Sequence, residues 1–222
     1  MSDKNYYRQN IFSKIAIRYS ISARQKMIEL FFKSLPINPS TTVLDLGVSS
    51  ENHITANFFE KMFPYPEKLT CAGIEDAFFV EKEYPGVKFV RIEAGRPLPF
   101  RDQEFDIVHS NAVLEHVGSL NEQCEFITEV LRVSKAFFIT TPNRWFPVEP
   151  HTFIPLIHLL PKRSFRYLLN LMGDSFYAQE KNLNLLSQKD ILKLFPKEIK
   201  VNVALIRTIG FASNIIVYGT SL

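Results

Sequence analysis

The chain has 222 residues, 46% of them hydrophobic and 22% charged, with a formal net charge of +3. This ordinary globular balance excludes a disordered chain, and so small a charge gives no reason to expect a nucleic-acid partner. No apolar run approaches a membrane span and Met1 to Asn10 lacks the apolar core of a signal peptide, so a soluble, cytoplasmic protein is expected.

Taken in order, Asn5 to Leu35 reads as two helices. Phe12, Ile15, Ala16 and Tyr19 recur at helical spacing in the first, and Ser22 with Gln25 offers a capping box for the second. The segment Thr41 to Glu51, T-T-V-L-D-L-G-V-S-S-E, reads as a buried strand over 42–46, a glycine turn and the start of a helix. That helix should begin near Glu51 and carry Ile54, Phe58, Phe59 and Met62 until Pro64 and Pro66 stop it. Further strands are expected at Leu69–Ile74, Val87–Arg91, Phe105–Ser110 and Lys135–Thr140. Ser119 and Glu122 form an S-x-x-E cap for a helix whose stripe is Leu120, Cys124, Ile127 and Leu131. Cys71 and Cys124 have no paired spacing, which favours buried thiols over a bridge. Ser187–Leu194 is a short capped helix. Ile199–Arg207 and Phe211–Thr220 form a closing hairpin.

The fold class that follows is α/β: a Rossmann-like sheet of about seven strands, mostly parallel, with a terminal antiparallel hairpin, helices on both faces and a helical cap. A strand ending in D-x-G, a tight turn and a helix start is how such sheets build a nucleotide pocket beyond the strand ends. Asp45 is the carboxylate at that end, and Glu75-Asp76 stands at the tip of the second strand. Acidic tips there hold ribose hydroxyls, because a carboxylate accepts both O–H donors of a diol.

Several stretches resemble the class I S-adenosylmethionine-dependent methyltransferases, in the small-molecule group labelled type 11. They are V-L-D-L-G at 43–47, G-I-E at 73–75, L-P-F-R-D-Q-E-F-D-I-V at 98–108, L-E-H-V at 114–117, E-V-L-R-V at 129–133 and T-T-P-N at 140–143. F-x-x-I-A-x-x-Y at 12–19 also looks like the N-terminal lid of several such enzymes. The resemblance implies S-adenosylmethionine as cofactor, with Asp45 and Gly47 beside its methionine part and Glu75 and Asp76 at the ribose. Glu93 and Ala94 would meet the adenine, and Ser110 and Asn111 would border the methyl group. The family's D-x-G-x-G-x-G loop is altered, with Ser49 and Glu51 at its second and third glycine positions; Ser49 is expected to cap the helix and leave backbone N–H groups facing the cofactor.

One domain is expected, with an N-terminal helical lid (1–40), a cofactor-binding core (41–143), an acceptor-side insert (144–190) and a closing helix and hairpin (191–222). Residues 144–172 should be a largely helical cap. Residues 151–172 join a long apolar surface to Lys162, Arg163 and Arg166. This reads as a lid packed on the sheet edge, a pocket for an apolar or lipid-linked acceptor, or a patch touching a membrane surface. His116 and His151 are the candidate general bases. His53, His109 and His158 look structural, and no cysteine–histidine spacing suggests a metal. The expected function is S-adenosylmethionine-dependent methyl transfer to a small-molecule or lipid-linked acceptor, with oxygen favoured. The alternative is a binding or scaffold protein on the same fold, weak in catalysis because of the altered loop. A nicotinamide dehydrogenase is disfavoured by the lack of G-x-G-x-x-G.

Overall fold

The computed structural model describes residues 11–50 and 56–221, with the backbone alone over 11–16. Seven strands form one sheet: β1 (Val43–Leu46), β2 (Leu69–Gly73), β3 (Lys88–Arg91), β4 (Phe105–Asn111), β5 (Ser134–Pro142), β6 (Asn202–Thr208) and β7 (Phe211–Thr220). Their order is β3-β2-β1-β4-β5-β7-β6, so the chain reverses its direction of travel between β1 and β4. A crevice opens at such a switch point, beyond the carboxyl ends of the strands. β1 to β5 pair in parallel, while β7 runs antiparallel to both β5 and β6. All four residues of β1 are buried, as expected for a central strand covered on both faces.

Alternation along the strands divides the core into two layers. One layer holds Val43, Ile107 and Phe138 and is covered by α1 (Ile11–Ser34), α2 (Phe58–Met62) and α3 (Phe79–Glu83), through residues including Met27, Phe31, Phe59 and Val80. The other holds Leu44, Val108 and Phe137 and is covered by α4 (Leu120–Val133) and α6 (Gln188–Leu192). Phe31 is wholly buried and meets Phe59 and Phe138 edge-on at 5.0 and 5.3 Å between ring centroids. Burial of such a side chain contributes about 1.5–3 kcal/mol, so α1 is held to the sheet by its C-terminal half. A third, smaller cluster, including Phe165, Leu169, Leu183 and Leu185, lies around α5 (Lys162–Leu171). No helix among the described residues is long and apolar enough to cross a membrane.

Local chemistry explains the boundaries. The Ser119 and Ser187 hydroxyls accept from the backbone N–H of Glu122 and Asp190, whose carboxylates accept the capping residues' N–H in return. The β6–β7 hairpin closes on Ile209 and Gly210, both at positive φ (53° and 81°), which is the requirement of a type I′ turn.

Four expectations change. The N-terminal segment is a single helix through Ser22, not two, so Ser22 caps nothing. The first helix described after β1 is α2, which starts at Phe58; Asn57 is left-handed (φ 48°), so no single helix runs through it to Met62, and Glu51 and Ile54 lie outside the described residues. The buried stripe of α4 is Gln123, Ile127, Val130 and Val133, and Leu120 faces solvent. Finally, the only α-helix of the cap is α5. Residues 144–161 are mostly turns with a short 3-10 helix at Ile157–Leu159, since Pro147, Pro150, Pro155 and Pro161 cannot donate inside a helix.

Candidate active site

The turn leaving β1 is shaped by Gly47. Its φ is +105°, its N–H donates to the Ala72 carbonyl at 2.7 Å, and a Cβ there would fall 2.1 Å from Val113 Cγ2. Only glycine lets this backbone lie flat against the segment that follows β4. A cleft of about 190 Å³ opens beside it, lined among others by Asp45, Gly47, Ser49, Asn57 and Asn111, with Arg24 of α1 at its edge. Asn57 pins the loop from both sides. Its Oδ1 accepts from the Ser49 N–H at 3.3 Å, and its Nδ2 donates to the Ser49 carbonyl at 3.2 Å.

Four of the expected cofactor residues therefore meet at one cleft: Asp45, Gly47, Ser49 and Asn111. Asn111 is fixed by Thr140 Oγ1, which donates to its Oδ1 at 2.6 Å. Ser110 is buried, and its hydroxyl donates to the Leu46 carbonyl at 2.8 Å, tying β4 to β1. Glu75 is exposed at the tip of β2 and accepts from the Ser50 hydroxyl, which links the second strand tip to the altered loop. Asp76 accepts the Phe78 N–H at 3.2 Å. Glu93, its side chain 84% exposed and 4.0 Å from Arg96, and Ala94 stand outside the lining of the cleft, as Asp76 does.

Asp45 does more than emerge into the cleft. It is buried, and its Oδ1 lies 2.5 Å from His109 Nδ1. The carboxylate can only accept, so Nδ1 carries the proton; the tautomer is assigned from that bond. The His109 ring stacks on Phe59 at 3.9 Å. Glu60 of α2 is buried close by, with Oε1 3.6 Å from Cys71 Sγ. Burial, then the Asp45 charge, pushes the Glu60 carboxyl up from its ordinary 4.5 to about 8. Sequence reading missed Glu60 altogether. The one available signal was a carboxylate on a short helix otherwise bound for the core.

A second cluster stands on the same rim. Leu114–His116 follow β4 as a short 3-10 helix, and His151 follows β5. The two histidines singled out from the sequence meet: their Nε2 atoms are 3.0 Å apart, with the rings nearly perpendicular. His116 Nδ1 donates to the Asn182 carbonyl at 2.7 Å, and His151 Nδ1 donates to Glu149 Oε1 at 2.6 Å. Glu115 is fully buried behind them. Its Oε2 accepts from Thr141 Oγ1 at 2.8 Å, and its Oε1 lies 4.0 Å from His116 Nε2 with no hydrogen-bond partner. Burial pushes the Glu149 carboxyl up, but hydrogen bonds and charge from His151, with the N–H of Thr152, outweigh it and hold the carboxyl below its ordinary range. Burial likewise pulls His151 down, and the bond to Glu149 with the Glu149 and Glu115 charges raises it above its usual value. Glu115 appeared in the sequence only as a letter of L-E-H-V; its burial gave no local sign.

Residues 45–136 match the family model described as a methyltransferase domain. The solved structures show the same architecture. A protein from Pyrococcus horikoshii OT3 superposes with a TM-score of 0.59 at 15% identity, covering 99% of each chain. The magnesium protoporphyrin IX methyltransferase of Synechocystis, solved with bound SAH, gives 0.58 at 12% identity over 96% of this chain and 89% of its own. A SAM-dependent methyltransferase from Methanosarcina mazei gives 0.54 at 18% identity over 83% and 93%. The chain thus shares the fold of solved SAM-dependent methyltransferases, and its residues 45–136 match a methyltransferase domain. No curated protein matches the chain by sequence. A methyltransferase domain of this fold implies S-adenosylmethionine as its cofactor. The residues fit it: Gly47 keeps the turn after β1 tight beside the cleft, and carboxylates stand at two adjacent strand tips.

Proposed function

We propose that this methyltransferase transfers the methyl group of S-adenosylmethionine to an oxygen of a small-molecule or lipid-linked acceptor. The observation that carries the proposal is the His116–His151 pair, each imidazole oriented through Nδ1, on the rim where β4 and β5 end. An ionised acid or thiolate needs little help to attack a methyl group, whereas a hydroxyl needs a group that handles its proton. When bound, the cofactor supplies the activated methyl on its sulfonium; the protein aligns the acceptor and excludes water.

Asp45, Gly47, Ser49, Glu75, Asp76 and Asn111 are the residues assigned to the cofactor. Glu93 and Ala94 are assigned to its adenine, and Ser110 to fixing the strand behind the methyl group. From Asn111 to His116 the chain spans at most about 18 Å, so both functions lie within reach of one ligand pair. Arg24 at the edge of the cleft supports a lid role for α1. The cap supports an apolar acceptor. It exposes Trp145, Phe153 and Leu156 near His151 in sequence, and Tyr167, Leu171, Met172 and Phe176 around the end of α5. Its basic groups are partly engaged, Lys162 with Asn184 at 2.6 Å and Arg166 with Glu180 at 3.4 Å, so membrane contact would rest mainly on the apolar side chains.

A binding-only reading has one observation behind it: an oxygen of Asp45 is already taken by His109. Titration calorimetry with S-adenosylmethionine, followed by incubation with fractionated cell extract and assay of S-adenosylhomocysteine, separates the readings. Release of S-adenosylhomocysteine with an organic-soluble fraction is the expected result. Cofactor binding without turnover in any fraction favours the scaffold.

A further inference from the structure

We propose that Glu115, His116 and His151 form a binding site for one divalent transition-metal ion of zinc-like ligand preference. That claim stands on the residues alone; only the role given to the ion below rests on the proposed methyl transfer.

The Asn182 carbonyl and the Glu149 carboxylate can only accept, so both Nδ1 atoms carry protons. In neutral imidazoles both Nε2 atoms then bear lone pairs, and these face each other at 3.0 Å. A positive centre resolves that repulsion, and it is either a proton or a metal ion. Glu115 decides between them. A proton held between the nitrogens would satisfy those two atoms and leave Glu115 Oε1 buried without a hydrogen-bond partner. A cation satisfies all three, and the three ligand atoms already lie within 4.8 Å of one another.

The spacing fits. Two nitrogens bound to one zinc at about 2.0–2.1 Å are about 2.9 Å apart at a right angle and about 3.4 Å apart at the tetrahedral angle. The 3.0 Å between the imidazoles falls in that interval. The carboxylate oxygen, 4.0 Å from His116 Nε2, needs to close by less than about 1 Å. Each ligand also has the supporting partner that metal ligands require: Glu149 behind His151, the Asn182 carbonyl behind His116 and Thr141 behind Glu115. The His116 side chain is 36% exposed, so one side of the ion remains open. Two imidazoles, one carboxylate and an open position are the donor set of catalytic zinc sites. Sequence reading gave no metal because Glu115 and His116 are adjacent and His151 is remote; no spacing motif joins them.

At the open position the ion would take the acceptor's oxygen. Coordination lowers the hydroxyl's pKa, and its proton passes to water. The oxygen then forms the new C–O bond to the methyl carbon as the C–S bond breaks and its electron pair stays on sulfur. With the ion bound, His116 and His151 would serve the deprotonation through the metal, as its ligands, in place of taking the proton themselves.

The test uses the full chain, freed of metal by chelator and dialysis. Titration calorimetry with Zn²⁺, and visible absorption with Co²⁺, should give one equivalent bound with tetrahedral-type Co²⁺ bands. His116→Ala and His151→Ala should each weaken binding at least a hundredfold, and Glu149→Gln about tenfold, the size typical of lost supporting contacts. Cys71→Ser, in the other buried cluster of possible ligand atoms (Asp45, Glu60 and Cys71), should leave binding unchanged. X-ray absorption on the wild-type zinc complex should require two imidazoles at about 2.0 Å, which needs no variant to fold. Failure of the wild-type chain to bind Zn²⁺, or a zinc environment without imidazole, overturns the site. Calorimetry with S-adenosylmethionine on the metal-free chain reports separately on the methyltransferase reading.

Discussion

Replacing Glu60 by glutamine tests whether the cleft beside Gly47 is lined by a neutral carboxyl. Glu60 is buried on α2, faces Asp45 of β1 and Cys71 of β2, and its Oε2 has no hydrogen-bond partner. Burial first, and the Asp45 charge second, raise its pKa from 4.5 to about 8. Between those values the folded chain keeps a proton that the unfolded chain releases. Stability therefore falls as pH rises through this window, by up to about 1.4 kcal/mol per pH unit, and the loss is complete above about pH 8. Over the whole shift the change is on the order of 4–5 kcal/mol. Glu60→Gln preserves shape and neutrality. It should match the wild type near pH 5, show a flatter profile above it, and be the more stable chain by several kcal/mol at pH 8. Urea unfolding followed by circular dichroism at pH 5, 6, 7 and 8 measures this. The lowered carboxyls Asp106, Glu129 and Asp190 act in the opposite sense. Their contribution is present above the unfolded values and is lost only as pH falls below about 4, outside the window. Parallel profiles for wild type and variant would refute the neutral Glu60.

Asp45→Ala and Glu75→Ala should each weaken S-adenosylmethionine binding about ten- to a hundredfold by calorimetry, the loss of one charge-assisted hydrogen bond. Unchanged affinity in both would sink the strand-tip assignment. Gly47→Ala forces a Cβ onto Val113 at positive φ and should destabilise the fold by at least about 1–3 kcal/mol in urea unfolding. If the cap touches lipid, Leu171→Glu with Met172→Glu should release the protein from sedimenting phosphatidylglycerol vesicles without shifting its melting temperature; equal sedimentation removes that role from the end of α5.

Much of the fold was legible because strands and caps are local. Each of the seven strands lies within three residues of its expected limits, since apolar runs bounded by Gly, Pro and acidic residues leave few other conformations. The Ser119 and Ser187 caps announced themselves as a hydroxyl followed three residues later by a carboxylate. Errors came where packing overrode local preference. Ser22 offers a cap, yet α1 runs through it because Ala23, Met27 and Phe31 continue one apolar face onto the sheet. The phase of α4 was misread because Gln123 is buried, with Nε2 donating to the Leu114 and Asn184 carbonyls; a polar residue on the inner face hides the stripe.

The two polar clusters differ in how far topology explains them. Asp45 and His109 are 64 residues apart and become register partners because β1 and β4 are adjacent, a neighbour relation that no local pattern encodes. His116 and His151 meet for a simpler reason. β4 and β5 are parallel and in register at Asn111 and Thr140, so whatever follows each strand emerges on the same rim. Two histidines placed soon after those strands had a good chance of converging once the fold class was assigned. What lies outside that inference is the charge behind them. Glu115 and Glu149 are both fully buried, and a buried carboxylate persists only where a proton, a hydrogen-bond donor or a cation compensates it. Glu149 has His151 and two backbone N–H groups, whereas Glu115 has Thr141 on one oxygen alone. That asymmetry makes the second oxygen of Glu115 the point from which the chemistry of this rim is best probed.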